Sequence, residues 1–114
     1  AHLLQVAPRY APRIPTRLDA SLEDGSETYD GWVANLSRTG MLVTDAPMLP
    51  VGALCVFDFK LPNGEIVRGT GEVVRHAKPR RERITGFALH FVSFEAGCYE
   101  VLQAWCDAEE PEDV

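Results

Sequence analysis

Two short segments carry side chains suited to binding an anionic ligand that accepts and donates hydrogen bonds. The first, RYAPRIPTR at residues 9–17, places Arg9, Arg13 and Arg17 four residues apart. Prolines in and beside it disfavour a helix, so the segment should be semi-extended, with successive arginines about 13 Å apart. A guanidinium binds phosphate through two parallel hydrogen bonds and stacks on aromatic rings. The alternative is a solvated, positively charged N-terminal arm.

The second segment, NLSRTG at residues 35–40, joins two strand-like runs. Asn35 offers an amide acceptor and donor that suit the edge of a heteroaromatic base, and Ser37 offers a hydroxyl two positions later, on the same side of a strand. Gly40 permits a positive φ or the close approach of another group to the backbone. Because all these residue types favour turns, an ordinary β-turn is the alternative.

The elements that must position these segments are mostly strands, because apolar residues recur with a period of two. The Asn63-Gly64 pair predicts a hairpin turn, and Gly69 and Gly71 indicate bulges or tight bends in a long strand. The predicted strands lie within residues 16–22, 29–37, 40–44, 54–61, 65–76 and 84–92.

The period changes after Ser93, where apolar residues recur at helical spacing up to Trp105. We expect Ser93 to cap this helix and Cys106 to lie near its end. The pattern predicts an all-β fold, a six-stranded antiparallel β-barrel with a C-terminal α-helix. It divides the chain into an arginine-containing arm (1–17), a barrel plus helix (18–106) and an acidic tail (107–114).

Composition limits the function classes. The 114 residues are 46% hydrophobic, enough for one core, and their net charge is −6. Five of the 17 acidic residues lie in the tail, so the rest of the chain has 12 acidic and 11 basic residues and is nearly neutral. A general nucleic-acid binder would be basic overall, and a barrel that binds single strands would also need exposed aromatic residues. No export signal or membrane-length apolar run is visible, which favours a cytoplasmic protein without membrane insertion.

No residue pattern typical of an enzyme, a metal site or a bound cofactor is visible. The three cysteines lack CxxC spacing and are expected to be reduced thiols. The basic run KPRRER at residues 78–83 is either a phosphate-binding patch or a charged hairpin loop. Several side chains have suitable chemistry for catalysis or metal binding but lack the spacing for it: Cys55, Cys98, Cys106, His76, His90, Asp58 and Glu72.

Taken together, the two segments resemble the signature of the PilZ domain family. That signature is RxxxR, followed about twenty residues later by D/N-x-S-xx-G, and each fixed position is matched in this chain. RIPTRLDASL, GTGEVVRH and GFALHF resemble three strands of the family. The family fold, a six-stranded antiparallel barrel with a C-terminal helix, agrees with the fold predicted from the residue pattern. The matching residues are Arg9, Arg13, Asn35, Ser37 and Gly40.

The resemblance implies binding of the bacterial second messenger cyclic di-GMP. By position, Arg9 and Arg13 would engage its phosphates and guanines, while Asn35 and Ser37 would bind guanine and ribose groups. Gly40 would keep the turn open. Relatives can stack a side chain on a guanine from the long later strand, which makes Arg75 a further candidate; a solvent-facing arginine is the alternative.

The resemblance also implies a signalling role with a downstream protein as partner, which the sequence does not identify. Binding would order the arm against the barrel. The ligand stoichiometry and the choice between monomer and dimer stay open, because Pro8 precedes the arginine pair. The competing hypothesis is a PilZ-like protein-interaction module that does not bind cyclic di-GMP.

Overall fold

Six antiparallel strands form the body of the chain, and a helix follows the last strand. The computed structural model describes residues 12–77 and 85–109; Arg9 and the basic run 78–83 lie outside these ranges. The elements are β1 (Ile14–Glu23), β2 (Thr28–Leu36), β3 (Gly40–Thr44), β4 (Leu54–Lys60), β5 (Ile66–His76), β6 (Gly86–Phe94) and α1 (Cys98–Glu109).

The strands close into a barrel in the order β1-β2-β3-β6-β5-β4. Closure depends on β1, which pairs with β2 from Ile14 to Glu23, with a register shift between Pro15 and Leu18, and with β4 from Ala20 to Glu23. In most strands alternate residues point inward and exclude water, as half-buried strands require, whereas β3 is buried along its whole length. The largest fully buried side chains include Phe57, Phe59 and Phe87. The predicted six-stranded antiparallel barrel with a C-terminal helix is therefore confirmed.

Both ends of the barrel unit differ from the predicted boundaries. β1 already begins at Ile14, because the backbone of Ile14 pairs with Leu36 at the end of β2. The segment 14–17, assigned to the arm, is thus strand. At the other end, α1 continues to Glu109, three residues beyond Cys106 and into the segment assigned to the acidic tail.

The predicted helix start is wrong. Ser93 does not cap α1, because β6 continues through Phe94 and the long strand β5 supplies pairing partners for both residues. A turn then intervenes, in which the backbone N–H of Cys98 donates to Glu95 O at 2.9 Å, and α1 begins at Cys98. The position of Phe94 fits both the strand period and the helical period, and its pairing with β5 makes it part of strand β6.

The bulge predicted in β5 at Gly69 and Gly71 lies instead on the opposite strand: Thr70 pairs with Ser93 and Gly71 with Phe91, so Val92 of β6 is the extra residue. At Gly69 the backbone of β6 approaches so closely that a Cβ atom would lie 2.2 Å from the carbonyl oxygen of Ser93. No side chain fits there without moving a strand. The glycine therefore permits β5 and β6 to pack at this point.

The helix α1 completes the core. Leu102, Trp105 and Cys106 are buried with the inward-facing residues of the barrel. Arg38 of the β2–β3 connection lies 3.7 Å from the Asp107 carboxylate of α1. This exposed ion pair joins the helix to the loop that precedes β3.

Cys55, Cys98 and Cys106 are free thiols, as expected. Burial raises the pKa of the Cys55 thiol to about 11, so it stays neutral under ordinary conditions. Within residues 12–77 and 85–109, no helix is long and apolar enough to cross a membrane. The same ranges contain no group of three or more His, Cys, Asp or Glu side chains that could hold a metal ion.

The β1–β2 turn is organised by one carboxylate. Asp24 Oδ1 accepts hydrogen bonds from the backbone N–H groups of Ser26 at 2.9 Å and Glu27 at 3.0 Å. Its Oδ2 accepts from the Tyr29 hydroxyl at 2.9 Å. The two backbone N–H donors are the main reason that the pKa of Asp24 lies far below its usual range. The bond to Asp24, followed by burial, raises the pKa of Tyr29 to about 12.

We expect Asp24→Asn to lower stability near neutral pH, because the charged acceptor is lost. The folded-state pKa of Asp24 is depressed, so its contribution is fully present above the unfolded value of about 4 and disappears as pH falls towards the folded value. The gap between the urea midpoints of wild type and Asp24→Asn should therefore narrow on acidification. A gap independent of pH would contradict this. Asp30→Asn, an exposed substitution on β2, serves as the control and should change the free energy of unfolding by less than about 0.5 kcal/mol.

Candidate functional site

The two segments singled out in the sequence meet where β1 begins and β2 ends. Pro15 pairs with Asn35, and Arg13 lies just outside this ladder. Arg13 Nη1 donates a hydrogen bond to Asn35 Oδ1 at 2.8 Å, across 22 residues of sequence. The structure thus brings one residue of the RxxxR pair against the first residue of the NxSxxG turn.

A β-bulge in β2 determines the direction in which Asn35 points. Val33 pairs with Val43 and Asn35 pairs with Leu42, so Ala34 is an extra residue in β2. Val33 and Leu36 both lie in the barrel core, whereas Ala34 packs against an apolar cluster on the outer side. The bulge therefore places Ala34 and Asn35 on the outer face together, where strict alternation would have turned one of them inward.

Asn35 begins a row of paired residues that crosses four strands of the outer face. It pairs with Leu42 on β3, Leu42 pairs with Ala88 on β6, and Ala88 pairs with Arg75 on β5. Three strand spacings separate Asn35 from Arg75, a distance of about 14 Å. We call these four residues the transverse row. Its middle is apolar and buried, and its two ends are polar and half-buried.

Arg75 lies at the β5 end of this row. Its side chain is half-buried, and Nη1 donates to the carbonyl oxygen of the neighbouring His76 at 3.3 Å. The ring of His76 in turn contacts Leu49 O at 2.8 Å through Nε2. The row thus connects Asn35, which matches the family signature, with Arg75, the further candidate on the long strand β5.

Ser37 is placed differently from Asn35, because β2 ends before it. The side chain is only 1% exposed. Its hydroxyl accepts hydrogen bonds from the backbone N–H groups of Thr39 and Gly40, each at 3.2 Å, and lies 3.2 Å from Gly40 O. Ser37 therefore holds the β2–β3 turn from within. Sequence periodicity, which placed it beside Asn35, did not reveal this arrangement.

Gly40 is required by close packing. A Cβ atom at this position would lie 2.4 Å from the carbonyl oxygen of Leu89, and Gly40 is not among the described residues with positive φ. Of the two explanations that the sequence allowed for this glycine, the close approach of another backbone is the one that the structure supports. The approaching group is β6.

A further cluster lies on the outer face of β1 and β2. The guanidinium carbon of Arg17 lies 4.4 Å from the centroid of the Trp32 ring, within the range of a cation–π interaction. Trp32 Nε1 donates to Asp45 Oδ2 at 2.6 Å. The sequence identified Arg17 as a basic residue of the arm, but its aromatic partner became evident only from the β1–β2 register.

We expect Gly40→Ala to destabilise the protein even without ligand, because the added methyl group meets the β6 backbone. Overpacking of this kind costs about 1–3 kcal/mol. Thermal unfolding of the ligand-free variant measures the effect. An unchanged melting temperature would show that β3 and β6 can separate without cost and would contradict the packing explanation.

Comparisons with known proteins agree with this architecture. The family model of the PilZ domain matches residues 7–108. No curated protein matches the sequence well enough to serve as a relative. Among solved structures, the Bacillus subtilis inhibitor of motility (MotI/DgrA) is similar with a TM-score of 0.75 at 19% identity, over 88% of this chain and 50% of that chain. The present chain therefore spans only half the length of that protein.

The PilZ domain of CeSA, from a cellulose synthesizing bacterium, is similar with a TM-score of 0.62 at 19% identity, over 88% of this chain and 100% of that chain. At such identities the structural likeness shows the shared fold. The family match adds the sequence pattern, since residues 7–108 include both signature segments, all six strands and most of α1. The chain belongs to the PilZ domain family.

Proposed function

We propose that this chain is a receptor module for cyclic di-GMP. The observation that supports this most directly is the hydrogen bond between Arg13 and Asn35, which unites the two signature segments at one place on the barrel surface. The ligand-binding residues would be Arg9, Arg13, Asn35, Ser37 and Gly40, with Arg75 as an additional contact; Arg9 lies outside the described residues.

The chemistry of the Arg13–Asn35 pair suits an anionic purine ligand. A guanidinium presents five N–H donors in one plane, so Arg13 can hold Asn35 and still meet a phosphate with the same planar group. The amide of Asn35 can both donate to and accept from the edge of a guanine. Because Asn35 is uncharged, it adds no repulsion to a ligand with two negative charges.

Only the two ends of the transverse row could contact a large ligand, because Leu42 and Ala88 between them are 2% and 1% exposed. These polar ends, Asn35 and Arg75, are about 14 Å apart, which suits a dinucleotide better than a mononucleotide. The guanidinium of Arg75 could stack on a guanine base. In this arrangement one end of the ligand would lie near Arg13 and Asn35, and the other near Arg75.

Ser37 and Gly40 would contribute mainly by shaping the turn. The buried Ser37 hydroxyl fixes the backbone of Thr39 and Gly40, and Gly40 lets β3 approach β6. Both therefore hold Asn35 in a fixed position, and preorganised groups lose less entropy on binding. Ordering of the arginine arm over the ligand would then alter contacts with a downstream protein. The role requires no catalysis and no cofactor, and it suits a cytoplasmic location.

Isothermal titration with cyclic di-GMP tests the proposal. We expect Arg13→Ala to weaken binding about ten- to a hundredfold, since hydrogen bonds to charged groups contribute about 1.5–3 kcal/mol. Arg68→Ala is the matched control, because Arg68 is an exposed arginine on β5 outside the transverse row. Equal affinity of Arg13→Ala and wild type, or the absence of binding by wild type, would refute the assignment. The same titration gives the ligand stoichiometry.

Competition and salt provide a second test. Cyclic di-GMP should bind more tightly than GMP or GTP, because only the cyclic dinucleotide can engage both ends of the row. Its affinity should fall as salt is raised, since the arginine–phosphate attraction is screened. Comparable binding of GMP, or an affinity independent of salt, would point to a site that does not involve Arg13 and Arg75 together.

One observation favours a second candidate, a protein-interaction module that does not bind the nucleotide. The Ser37 hydroxyl is buried and fully engaged within its own turn, so it can serve the fold alone. The structural neighbour MotI/DgrA is described as an inhibitor of motility, a role that contact with another protein could perform. A partner captured equally well with and without added cyclic di-GMP, together with a wild type that gives no binding heat, would favour this candidate.

A further inference from the structure

The outer face of β4 exposes two aliphatic side chains. Leu54 and Val56 alternate with the buried Cys55 and Phe57, and they remain 58% and 50% exposed. Together with Thr70 of β5 and the turn after β1, they line an open cleft of about 180 Å³. A cleft with exposed aliphatic residues at its centre is typical of a contact surface for another molecule.

Acidic side chains border this aliphatic surface on both sides. Glu23 of β1 pairs with Val56, and Glu72 of β5 pairs with Leu54. None of the residues that line the cleft is basic. Arg68, two residues from Thr70 on the same outer face of β5, lies 3.9 Å from Asp58, which pairs with it across the ladder. We call Glu23, Leu54, Val56 and Glu72 the acidic–aliphatic face.

Hydrogen bonds organise the turn beside this face. Asp24, which also lines the cleft, uses both carboxylate oxygens to hold the β1–β2 turn, and it remains ionised because its pKa is strongly lowered. Cys55 forms part of the cleft floor as a neutral thiol. A negative and partly apolar surface is therefore present before any partner binds, which reduces the entropic cost of association.

We propose that the acidic–aliphatic face docks a segment of a partner protein in which Lys or Arg side chains flank a bulky aliphatic residue. The aliphatic residue would cover Leu54 and Val56, and the cations would meet Glu23 and Glu72. Cations of the partner on both sides of its apolar residue, each opposite a glutamate of this face, provide orientation and specificity as well as attraction.

The register predicts the spacing of the partner's cations. Glu23 and Glu72 lie on opposite sides of β4, and their partners Val56 and Leu54 are two residues apart along it, so the two glutamates are about 12 Å apart. Two turns of an α-helix cover about 11 Å. A helical segment with basic residues seven or eight positions apart, and leucines between them on the same face, would fit. The face shares no residue with the transverse row, so the proposal does not require nucleotide binding.

Two synthetic amphipathic peptides of about four helical turns, roughly 15 residues, serve as probes. Both carry the same leucine stripe, flanked by lysines in one peptide and by glutamates in the other. In a titration of the isotope-labelled full chain, the lysine peptide should shift the backbone amide NMR signals of Gly25, Leu54, Val56 and Thr70. The glutamate peptide should leave these signals unchanged.

Paired variants make the test specific. Leu54→Ser with Val56→Ser should weaken binding of the lysine peptide about tenfold, the equivalent of about 1.4 kcal/mol. Glu23→Lys with Glu72→Lys should reverse the preference in favour of the glutamate peptide. Exposed positions elsewhere supply the controls: Ile66→Ser and Glu100→Lys should bind like wild type. Circular dichroism of each variant verifies the fold.

Equal binding of both peptides, amide shifts centred elsewhere, or the absence of binding would overturn the proposal. Sedimentation velocity at rising protein concentration provides the remaining test. A wild type that self-associates, together with a monomeric Leu54→Ser/Val56→Ser variant, would assign the face to a second copy of this chain and would also overturn it.

Discussion

The structure depends on the double pairing of β1. A sheet of six strands that did not close would leave β1 and β4 as edges with unpaired backbone groups, and its interior would be open to water. The pairing of Ala20 to Glu23 with β4 removes both edges. It also encloses a core in which the aromatic rings of β4 and β6 contact each other, with Phe57 and Phe91 centroids 5.2 Å apart.

Closure has a consequence for the outer surface. One strand, β1, borders two different surfaces, since its first residues adjoin Asn35 of β2 and its last residue, Glu23, adjoins Val56 of β4. Because the interior packing fixes the rotation of β1, neither end can turn independently. The polar groups near Arg13 and the acidic–aliphatic face thus lie at opposite ends of the same strand, with the register shift between Pro15 and Leu18 separating them.

Local irregularities then refine the outer surface. The bulge at Ala34 keeps Val33 and Leu36 inside while it places Asn35 outside. Gly40 lets β3 approach β6, and the Ser37 hydroxyl holds the short turn between β2 and β3. The signature residues Ser37 and Gly40 therefore have structural roles that are evident without any ligand.

The predictions from sequence succeeded where a local pattern had one physical explanation. Alternating apolar runs, together with the aromatic and β-branched runs at 29–37 and 40–44, predicted six strands, because few other arrangements bury such side chains. The bulge expected at the glycine pair of β5 lies opposite that pair, at Val92 of β6. The helix start failed because Ser93 and Phe94 suit either a helix or a strand, and only the length of β5 decided between them. The boundary of the arm failed because pairing with β2 extends β1 back to Ile14, so that Pro15 lies within the strand.

The sequence by itself determined the strand pattern, the terminal helix and the residue types of the family signature, because these depend on local periodicity and on neighbouring residues. Only the tertiary structure decided which distant residues meet: Arg13 with Asn35, Arg17 with Trp32, and Glu23 with Val56. The physical reason is that the register of each strand pair follows from packing the whole barrel interior. A shift of one residue in any strand would turn its polar face inward, and no short stretch of sequence contains that constraint.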